Sequence, residues 1–385
     1  MLKVEQVTRD ARVVLAPDVV LSKREIQAVL STTFETVTGS NPYSVVHEGV
    51  GYTVCVKNIT YLGHPHPKHK KRIQISKEWR ATLMRPDALL LGVYSYDKQL
   101  LFVLFSPETY RKKKANNSSA HVHTIDLLSA VRYGTFEKID RNGNKLVICT
   151  AQHIREVIKK YAANSPLNLV PELKLVDDMI RTVPTVWVGT DVYDEMLAHN
   201  SPNALQGEWP GFYFEFLFSA FLDRNKALPS ICTFVSDKSA GGLDFDLNFH
   251  NDFLGDLKTH LLGTDVLGND QTSMKRALRR YGRLWYVILS YTREKDSDNA
   301  YVTTEHWNML LRTRRDSTKS LRSYGSKMKH SVHLKELVVA EIHTGNVAGL
   351  RPFVQGRNSN GALRAPKFLI AKKDIDNYVI FRKLL

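Results

Sequence analysis

The sequence predicts an α/β (α+β) protein of two domains, on three observations. At 385 residues the chain exceeds the size of one ordinary domain. Residues 1 to about 165 are dominated by short segments rich in β-branched and aromatic residues, which are typical of strands. Residues 166–385 instead mix helical and strand patterns, as expected for a central mixed sheet flanked by helices. We therefore predict a β-rich N-terminal domain at 1–165 and a second domain at 166–385.

In the first domain, a helix is predicted to begin at Ser22. This serine is a suitable N-cap, and Glu25 stands three residues later, as in a capping box. The segment DALLLGVYSYDKQLLFVLFSP predicts a β-hairpin that turns near Tyr96, Asp97 and Lys98. The segment AQHIREVIKKYAANSP predicts a helix that ends before Pro166, and SPLNLVPEL is interpreted as the connection to the second domain.

In the second domain, helices are predicted in KLVDDMIRTVP, GFYFEFLFSAFLDRN and TTEHWNMLLRTRR, and strands in LWYVILSYT, LKELVVAEIH and KFLIAKK. The segment DQTSMKRALRRYG predicts a short helix. Asn269 or Asp270 would be its N-cap, and Gly282 would end it.

The charge of the chain favours a polyanionic partner. There are 54 Lys and Arg residues against 39 Asp and Glu residues, a formal net charge of +15, so nucleic acid is the first candidate. The three cysteines (Cys55, Cys149 and Cys232) are far apart and form no CxxC pair, which favours a reducing, cytoplasmic location. There is no secretory signal pattern and no run of about 18 apolar residues, so no membrane span is expected.

An acid-rich segment, GLDFDLNFHNDFLGDLKTH, occupies residues 242–260 and predicts a hairpin. Its apolar and polar residues alternate, so Asp256, Lys258 and His260 share one face of the second strand. A three-residue turn would place Phe249 opposite Phe253, which sets Asp246 opposite Asp256. A slip of two residues would pair Asp244 with Asp256 instead, and the residues leave this alternative open.

Either register brings two carboxylates on neighbouring strands to within about 5 Å of each other at Cβ, which is unfavourable unless something neutralises them. A divalent cation would do so. Two carboxylates, with water and phosphate in the remaining positions, are the usual ligands of Mg²⁺. The alternative is a salt-bridged, exposed hairpin face that does no chemistry.

This combination resembles the core of the PD-(D/E)xK nuclease superfamily, to which many type II restriction endonucleases belong. That core is a helix, a three-stranded antiparallel unit, a second helix and a further strand. Asp246 matches the first acid, although Phe245 stands where the motif has proline, and Asp256 and Lys258 match the second acid and the lysine. Glu215, in GFYFEFLFSAF, matches the glutamate that the first core helix often contributes.

The resemblance implies a Mg²⁺-dependent endonuclease, with Mn²⁺ as a substitute, acting on double-stranded DNA. Asp246 and Asp256, or Asp244 in the other register, would hold the metal, and Lys258 would orient or help deprotonate the attacking water. A dimer, stable or formed transiently on DNA, is expected because a duplex requires two cuts. A cognate DNA methyltransferase acting on the same site is a further expected partner.

Basic segments are candidates for DNA contact in both domains. HPHPKHKKR and YRKKKANNSS are basic and turn-rich, and the segment from Arg312 to Lys335 has one acid, Asp316, among eight cations. The candidate DNA-binding residues are Lys70, Lys71, Arg72, Arg111, Lys112, Lys113, Arg279, Arg312, Arg314, Arg315, Arg322 and Lys327. Histidines near the first two segments lack the cysteines that would complete a typical zinc site.

Two other functions fit the same residues. One is a structure-specific or broadly acting defence nuclease, whose first domain senses something other than a DNA sequence. The other is a DNA- or RNA-binding protein with a purely structural hairpin. The chain contains no GxxxxGK[ST], GxSxG, HExxH or GxGxxG motif, so nothing indicates an NTPase, serine hydrolase, zincin or dinucleotide enzyme.

Overall fold

The fold is taken from a computed structural model of the chain. It describes residues 2–107, 110, 118–140, 144–162, 169–225, 228–235, 245–250, 252–313, 328–354, 356 and 363–385. The chain forms two compact units, Met1–Val170 and Pro171–Leu385. The sequence places the division after residue 165, and the structure places it after Val170. The predicted α/β (α+β) fold class, with a β-rich N-terminal region, is confirmed.

The described part of the first unit contains twelve strands and four helices. The strands are β1 (Val4–Val7), β2 (Val13–Ala16), β3 (Thr36–Gly39), β4 (Tyr43–His47), β5 (Val50–Asn58), β6 (Thr60–Tyr61), β7 (Lys70–Ile75), β8 (Ala88–Tyr96), β9 (Gln99–Phe105), β10 (Ser118–His123), β11 (Thr135–Ile139) and β12 (Lys145–Thr150). The helices are α1 (Lys23–Thr33), α2 (Arg80–Leu83), α3 (Thr124–Tyr133) and α4 (Ile154–Ala162).

A seven-stranded sheet in the order β11-β12-β9-β8-β5-β4-β3 forms the centre of this unit. Its neighbours are antiparallel except β5 and β8, which are parallel. Apolar residues of α1 and α4, among them Leu30 and Val157, pack on the sheet residues Val54 and Leu91. A smaller sheet has the order β10-β7-β6, and β1 pairs with β2.

Two local predictions for this unit are confirmed. Ser22 caps α1, its Oγ accepts from the Glu25 N–H, and the Glu25 carboxylate accepts from the Ser22 N–H at 2.7 Å. The hairpin β8-β9 turns at Asp97 and Lys98, both with positive φ, 50° and 58°. Such a two-residue turn matches the twist of the flanking strands.

The described part of the second unit contains ten strands and five helices. The helices are α5 (Pro171–Arg181), α6 (Gly189–Ala198), α7 (Trp209–Arg224), α8 (Gln271–Tyr281) and α9 (Val302–Thr313). The strands are β13 (Val186–Val188), β14 (Thr233–Phe234), β15 (Leu247–Phe249), β16 (Phe253–Leu261), β17 (Val266–Asp270), β18 (Arg283–Lys295), β19 (Lys329–His343), β20 (Arg351–Phe353), β21 (Lys367–Ile370) and β22 (Val379–Leu384).

The central sheet of this unit has the order β13-β19-β18-β16-β15-β14, and β22 also pairs with β19. Strands β14, β15 and β16 form an antiparallel unit. The chain then passes through α8 into β18, which runs parallel to β16. From α7 to β18 the elements are therefore helix α7, the antiparallel strands β14, β15 and β16, strand β17, helix α8 and strand β18.

Helices cover the β16 region from both sides. Met274 and Leu278 of α8 pack with Leu254 and Tyr286, which lie on the face of the sheet that also carries Asp256. Helix α7 lies against β16 as well, and a Cβ at its Gly211 would contact Thr259 Oγ1 at 3.5 Å. Because the sheet is covered, polar groups in its interior require partners.

The predicted ends of α8 are confirmed. Of the two candidate caps, Asp270 is the N-cap, and its Oδ1 accepts from the Ser273 N–H at 2.8 Å. Gly282 ends the helix in the left-handed region at φ 74°, where glycine is favoured. No helix among the described residues is long and apolar enough to span a membrane.

Candidate active site

The hairpin β15-β16 has the register in which Phe249 lies opposite Phe253 and Leu247 opposite Gly255. This is the register preferred from the sequence. Asp246 directly precedes β15, and its Oδ2 accepts from the Leu257 N–H at 2.9 Å. That hydrogen bond holds the Asp246 carboxylate against β16 beside Asp256. Asp244, the alternative ligand, lies outside the described residues.

Two carboxylates are buried together at this point. Asp246 and Asp256 are 1% and 2% exposed. Burial is the main cause of a pKa of Asp256 well above its ordinary value of 3.8, and the neighbouring Asp246 raises that pKa further. Lys258 acts in the opposite direction but does not outweigh them. One carboxylate of the pair is therefore poorly stabilised as an anion by the protein itself.

Lys258 lies two residues along β16 and forms an ion pair with Asp256. Burial opposes its positive charge, but attraction to Asp256 and Asp246, with a smaller contribution from Glu215, raises its pKa overall. The side chain retains 22% exposure. Lys258 is accordingly an ammonium ion at neutral pH, so it can donate hydrogen bonds to an anion but is a poor proton acceptor.

Tyr286 of β18 forms a wall of the site that sequence reasoning missed. It lies opposite Asp256 in the parallel pair, and the Lys258 ammonium is 5.8 Å from the centre of its ring. Its hydroxyl accepts from the Asn269 N–H at 3.1 Å. A Cβ at Gly268 would be 2.8 Å from Tyr286 Oη, so the close approach requires glycine. The only feature of the sequence that indicates this close approach is Gly268, two residues before the N-cap of α8.

Glu215 is half-buried on α7. Helix α7 begins at Trp209 and buries Trp209, Phe214 and Phe218, and Glu215 lies beside this apolar surface. Its charge contributes to the raised pKa of Lys258, which places the carboxylate within electrostatic reach of the lysine. The structure brings Asp246, Asp256 and Lys258 together, and the charge of Glu215 acts on Lys258 from α7.

His260 continues the polar face of β16 beyond Lys258. Its Nε2 hydrogen-bonds with Ser290 Oγ at 2.8 Å, and Ser290 is fully buried on β18. Burial lowers the pKa of His260, so the imidazole is neutral at pH 7.

The donor atoms of this site suit a hard divalent cation. No group of three or more His, Cys, Asp or Glu side chains that could hold a metal is present in the described part of the chain. The available ligands are therefore the Asp246 and Asp256 carboxylates. Asp256 Oδ2 is buried and accepts no hydrogen bond of good geometry, although Lys258 is its ion-pair partner. Two carboxylates that leave other positions to water and phosphate fit Mg²⁺.

One predicted DNA-binding residue requires correction. Lys71 is fully buried in β7 and pairs with Asp18 at 2.8 Å, so it is unavailable to a phosphate. Only the first residues of the basic, turn-rich segment HPHPKHKKR precede the strand β7. The last residues of the segment belong to that strand, whose alternate side chains point inward.

The other candidates for DNA contact differ in exposure. Lys70 and Arg72 are half-buried, whereas Arg279 and Arg312 are exposed on their helices. Seven further candidates lie outside the described residues: Arg111, Lys112, Lys113, Arg314, Arg315, Arg322 and Lys327.

Comparison with known proteins gives one match. Residues 50–158, within the first unit, match the model of a family described as Methylase-associated X1. No curated protein and no solved structure matches the chain significantly. The family match suggests a protein associated with restriction–modification, and it loosely fits a link to a DNA methyltransferase.

Proposed function

We propose that the protein is a Mg²⁺-dependent endonuclease that hydrolyses phosphodiester bonds of double-stranded DNA, as a type II restriction enzyme or a modification-dependent one. The observation that carries the proposal is the buried pair Asp246 and Asp256 with Lys258 beside it. Buried carboxylates that face each other are costly, and perturbed acids of this kind concentrate at functional sites.

Three further observations support this proposal. Helix α7, strands β14, β15 and β16, helix α8 and strand β18 follow the order of the PD-(D/E)xK core, with β17 added before α8. Asp256 and Lys258 lie on β16, and Asp246 directly precedes β15. The methylase-associated match in the first unit fits a protein that works with a DNA methyltransferase on the same site. The net charge of +15 suits a DNA substrate.

In the proposed mechanism, Asp246 and Asp256 would hold the cation through their carboxylate oxygens. Bound Mg²⁺ would acidify a water molecule and offset charge that develops on the phosphate. Lys258, as an ammonium ion, donates to a phosphate oxygen or orients the attacking water. In-line attack of the water oxygen on phosphorus, with loss of its proton to solvent, would form a new P–O bond and break the P–O3′ bond. This would leave a 5′-phosphate and a 3′-hydroxyl, as the resemblance implies. Tyr286 closes the inner side of the site against water.

The test is cleavage of plasmid and phage DNA, with and without cytosine methylation, by wild type, Asp256→Ala and Lys258→Ala in Mg²⁺. Two matched controls replace exposed residues outside the site: Asp252→Ala in the same hairpin and Lys295→Ala at the end of β18. We expect the site variants to lose about 100-fold or more of the rate and the controls to retain it.

The pattern of cleavage products distinguishes the candidate functions that remain. Discrete bands from wild type support a restriction enzyme, and a smear supports a broadly acting defence nuclease. Failure of wild type to cut any substrate, with equal DNA retention by all variants in a gel shift, would instead establish a non-catalytic nucleic-acid-binding protein. Size-exclusion chromatography with and without DNA tests the expected dimer.

A further inference from the structure

Strands β7 and β10 form a regular two-stranded ribbon in the first unit. Each has six residues, and they pair antiparallel without a break from Ser118 opposite Ile75 to His123 opposite Lys70. Strand β6 adds two residues on the other side of β7, with Thr60 opposite Arg72. Such a ribbon has the dimensions of an element that enters the DNA major groove.

The two faces of this ribbon differ sharply. Five inward residues are buried, namely Lys71, Ile73, Ile75, Ala120 and Val122, and two at the ends, Tyr61 and Ser118, are half-buried. The outward residues are polar and half-buried or exposed: Thr60, Lys70, Arg72, Gln74, Ser119, His121 and His123. The outward face thus presents hydrogen-bonding groups without an apolar centre, whereas the centre of a protein–protein interface is usually apolar and aromatic.

The charges on the ribbon also favour a polyanion as its ligand. Strands β6, β7 and β10 contain no Asp or Glu. The charge of inward-facing Lys71 is matched by Asp18. The positive charges of Lys70 and Arg72 therefore remain on the outward face, with no carboxylate of these strands to offset them.

Arg72 and Gln74 have side chains that suit base recognition. Arginine pairs with the O6 and N7 atoms of guanine, and glutamine with the N6 and N7 atoms of adenine, each through two hydrogen bonds. Arg72 donates to Ser119 Oγ at 3.2 Å, which directs the guanidinium across the ribbon. Residues two apart on a strand are separated by about 6.6 Å, which is two base-pair steps of about 3.4 Å.

We propose that the outward face of the β7-β10 ribbon binds in the major groove of duplex DNA, where Arg72 and Gln74 read base edges. The face lies within residues 50–158, which match the methylase-associated family. The inference deepens the proposed function and rests on it, because a restriction enzyme requires a sequence-reading surface.

The experiment is selection from a random duplex library by the full-length protein in Ca²⁺, which permits binding without hydrolysis, followed by sequencing. Wild type is expected to enrich a motif. The double variant Arg72→Ala/Gln74→Ala should lose it and bind the selected duplex about 10-fold to 100-fold more weakly. The matched control is Arg24→Ala/Gln27→Ala, which removes the same two residue types from the exposed surface of α1 and should leave selection intact.

A conservative variant separates base reading from charge. Arg72→Lys keeps the charge but lacks the planar fork, so it should retain non-specific affinity and lose discrimination at one base pair. Circular dichroism melting of all variants establishes that the fold persists.

Three results would overturn the proposal. The first is an unchanged motif and affinity in Arg72→Ala/Gln74→Ala, and the second is no enrichment by wild type. The third is a double variant that selects DNA normally but no longer co-purifies with a methyltransferase that wild type binds. The last would assign the face to a protein partner. Failure of the nuclease proposal looks different, because a motif that depends on Arg72 would then be selected while no DNA is cut in Mg²⁺.

Discussion

At the scale of single residues, buried charges in this protein are mostly balanced by a partner of opposite sign. Lys71 pairs with Asp18, and Lys138 with Asp126. The site in the second unit departs from this balance, since Asp246 and Asp256 share Lys258. An excess of buried negative charge lowers stability in the absence of a cation, and this is why the pair points to function.

Replacement of one acid should therefore stabilise the protein while removing its activity. In Asp246→Asn the side-chain oxygen can still accept from the Leu257 N–H, and the remaining acid matches the single lysine. We expect the free energy of unfolding without metal to rise by about 1 kcal/mol. Denaturant unfolding with and without Mg²⁺ measures this.

Magnesium should stabilise wild type by mass action and leave Asp246→Asn unaffected. If Asp246→Asn were less stable than wild type, or if Mg²⁺ stabilised both proteins equally, the carboxylate pair would not be the metal site. Asp252→Ala, an exposed residue of the same hairpin, is the control.

The raised pKa of Asp256 predicts how metal binding depends on pH. Protons compete with Mg²⁺ below that pKa, so the rise in Tm that Mg²⁺ causes should be small at acid pH and grow as pH increases through it. Without metal, stability should change with pH in the opposite direction. A raised carboxyl pKa contributes stability at low pH that is lost as pH rises through the folded-state pKa.

Thermal unfolding of wild type at a series of pH values, with Mg²⁺ or with EDTA, distinguishes these two trends. In Asp246→Asn the loss of stability with rising pH should be smaller, because a cause of the raised pKa is gone. Identical pH profiles for the two proteins in EDTA would contradict the coupling between the acids.

At the scale of elements, the approach of β17 to β18 fixes the inner wall of the site. It depends on Gly268, where a Cβ would lie 2.8 Å from Tyr286 Oη and 3.0 Å from the Phe368 carbonyl oxygen. We expect Gly268→Ala to lower the free energy of unfolding by about 1–3 kcal/mol, since the backbone carbonyl cannot move away easily. Chemical denaturation measures the change.

Gly211→Ala is the matched control for this substitution. Gly211 lies within helix α7, and a Cβ at this residue would make an ordinary contact of 3.5 Å with Thr259 Oγ1 of β16. There the higher helix propensity of alanine should leave stability unchanged or raise it by up to about 1 kcal/mol. Equal destabilisation at both glycines would show that crowding against Tyr286 is not the cause.

At the scale of the whole molecule, the two compact units should respond separately to changes in their cores. Lys71→Ala leaves Asp18 without its buried partner and removes packing around Tyr94, so it should destabilise the first unit by about 3 kcal/mol. In calorimetry we expect this variant to lower one transition, and Asp246→Asn to raise the other. A single transition shifted by both variants would show that the units unfold together.

Much of the fold and part of the site could be predicted from short windows of sequence. Capping by Ser22 and Asp270 follows from side chains that bond to nearby backbone groups. The opposition of Phe249 and Phe253 follows from strand alternation and a short turn. These properties depend on neighbours in the chain, which the sequence displays directly.

The sequence by itself determined that two acids and a lysine share one end of a hairpin, and that helices flank it. Only the tertiary structure decided that Tyr286 and Gly268 close the site, that Glu215 comes within reach of Lys258, and that Lys71 points inward. The reason is physical. A strand's alternation gives two faces, but which face is buried depends on the elements that pack against it, and those are distant in the chain.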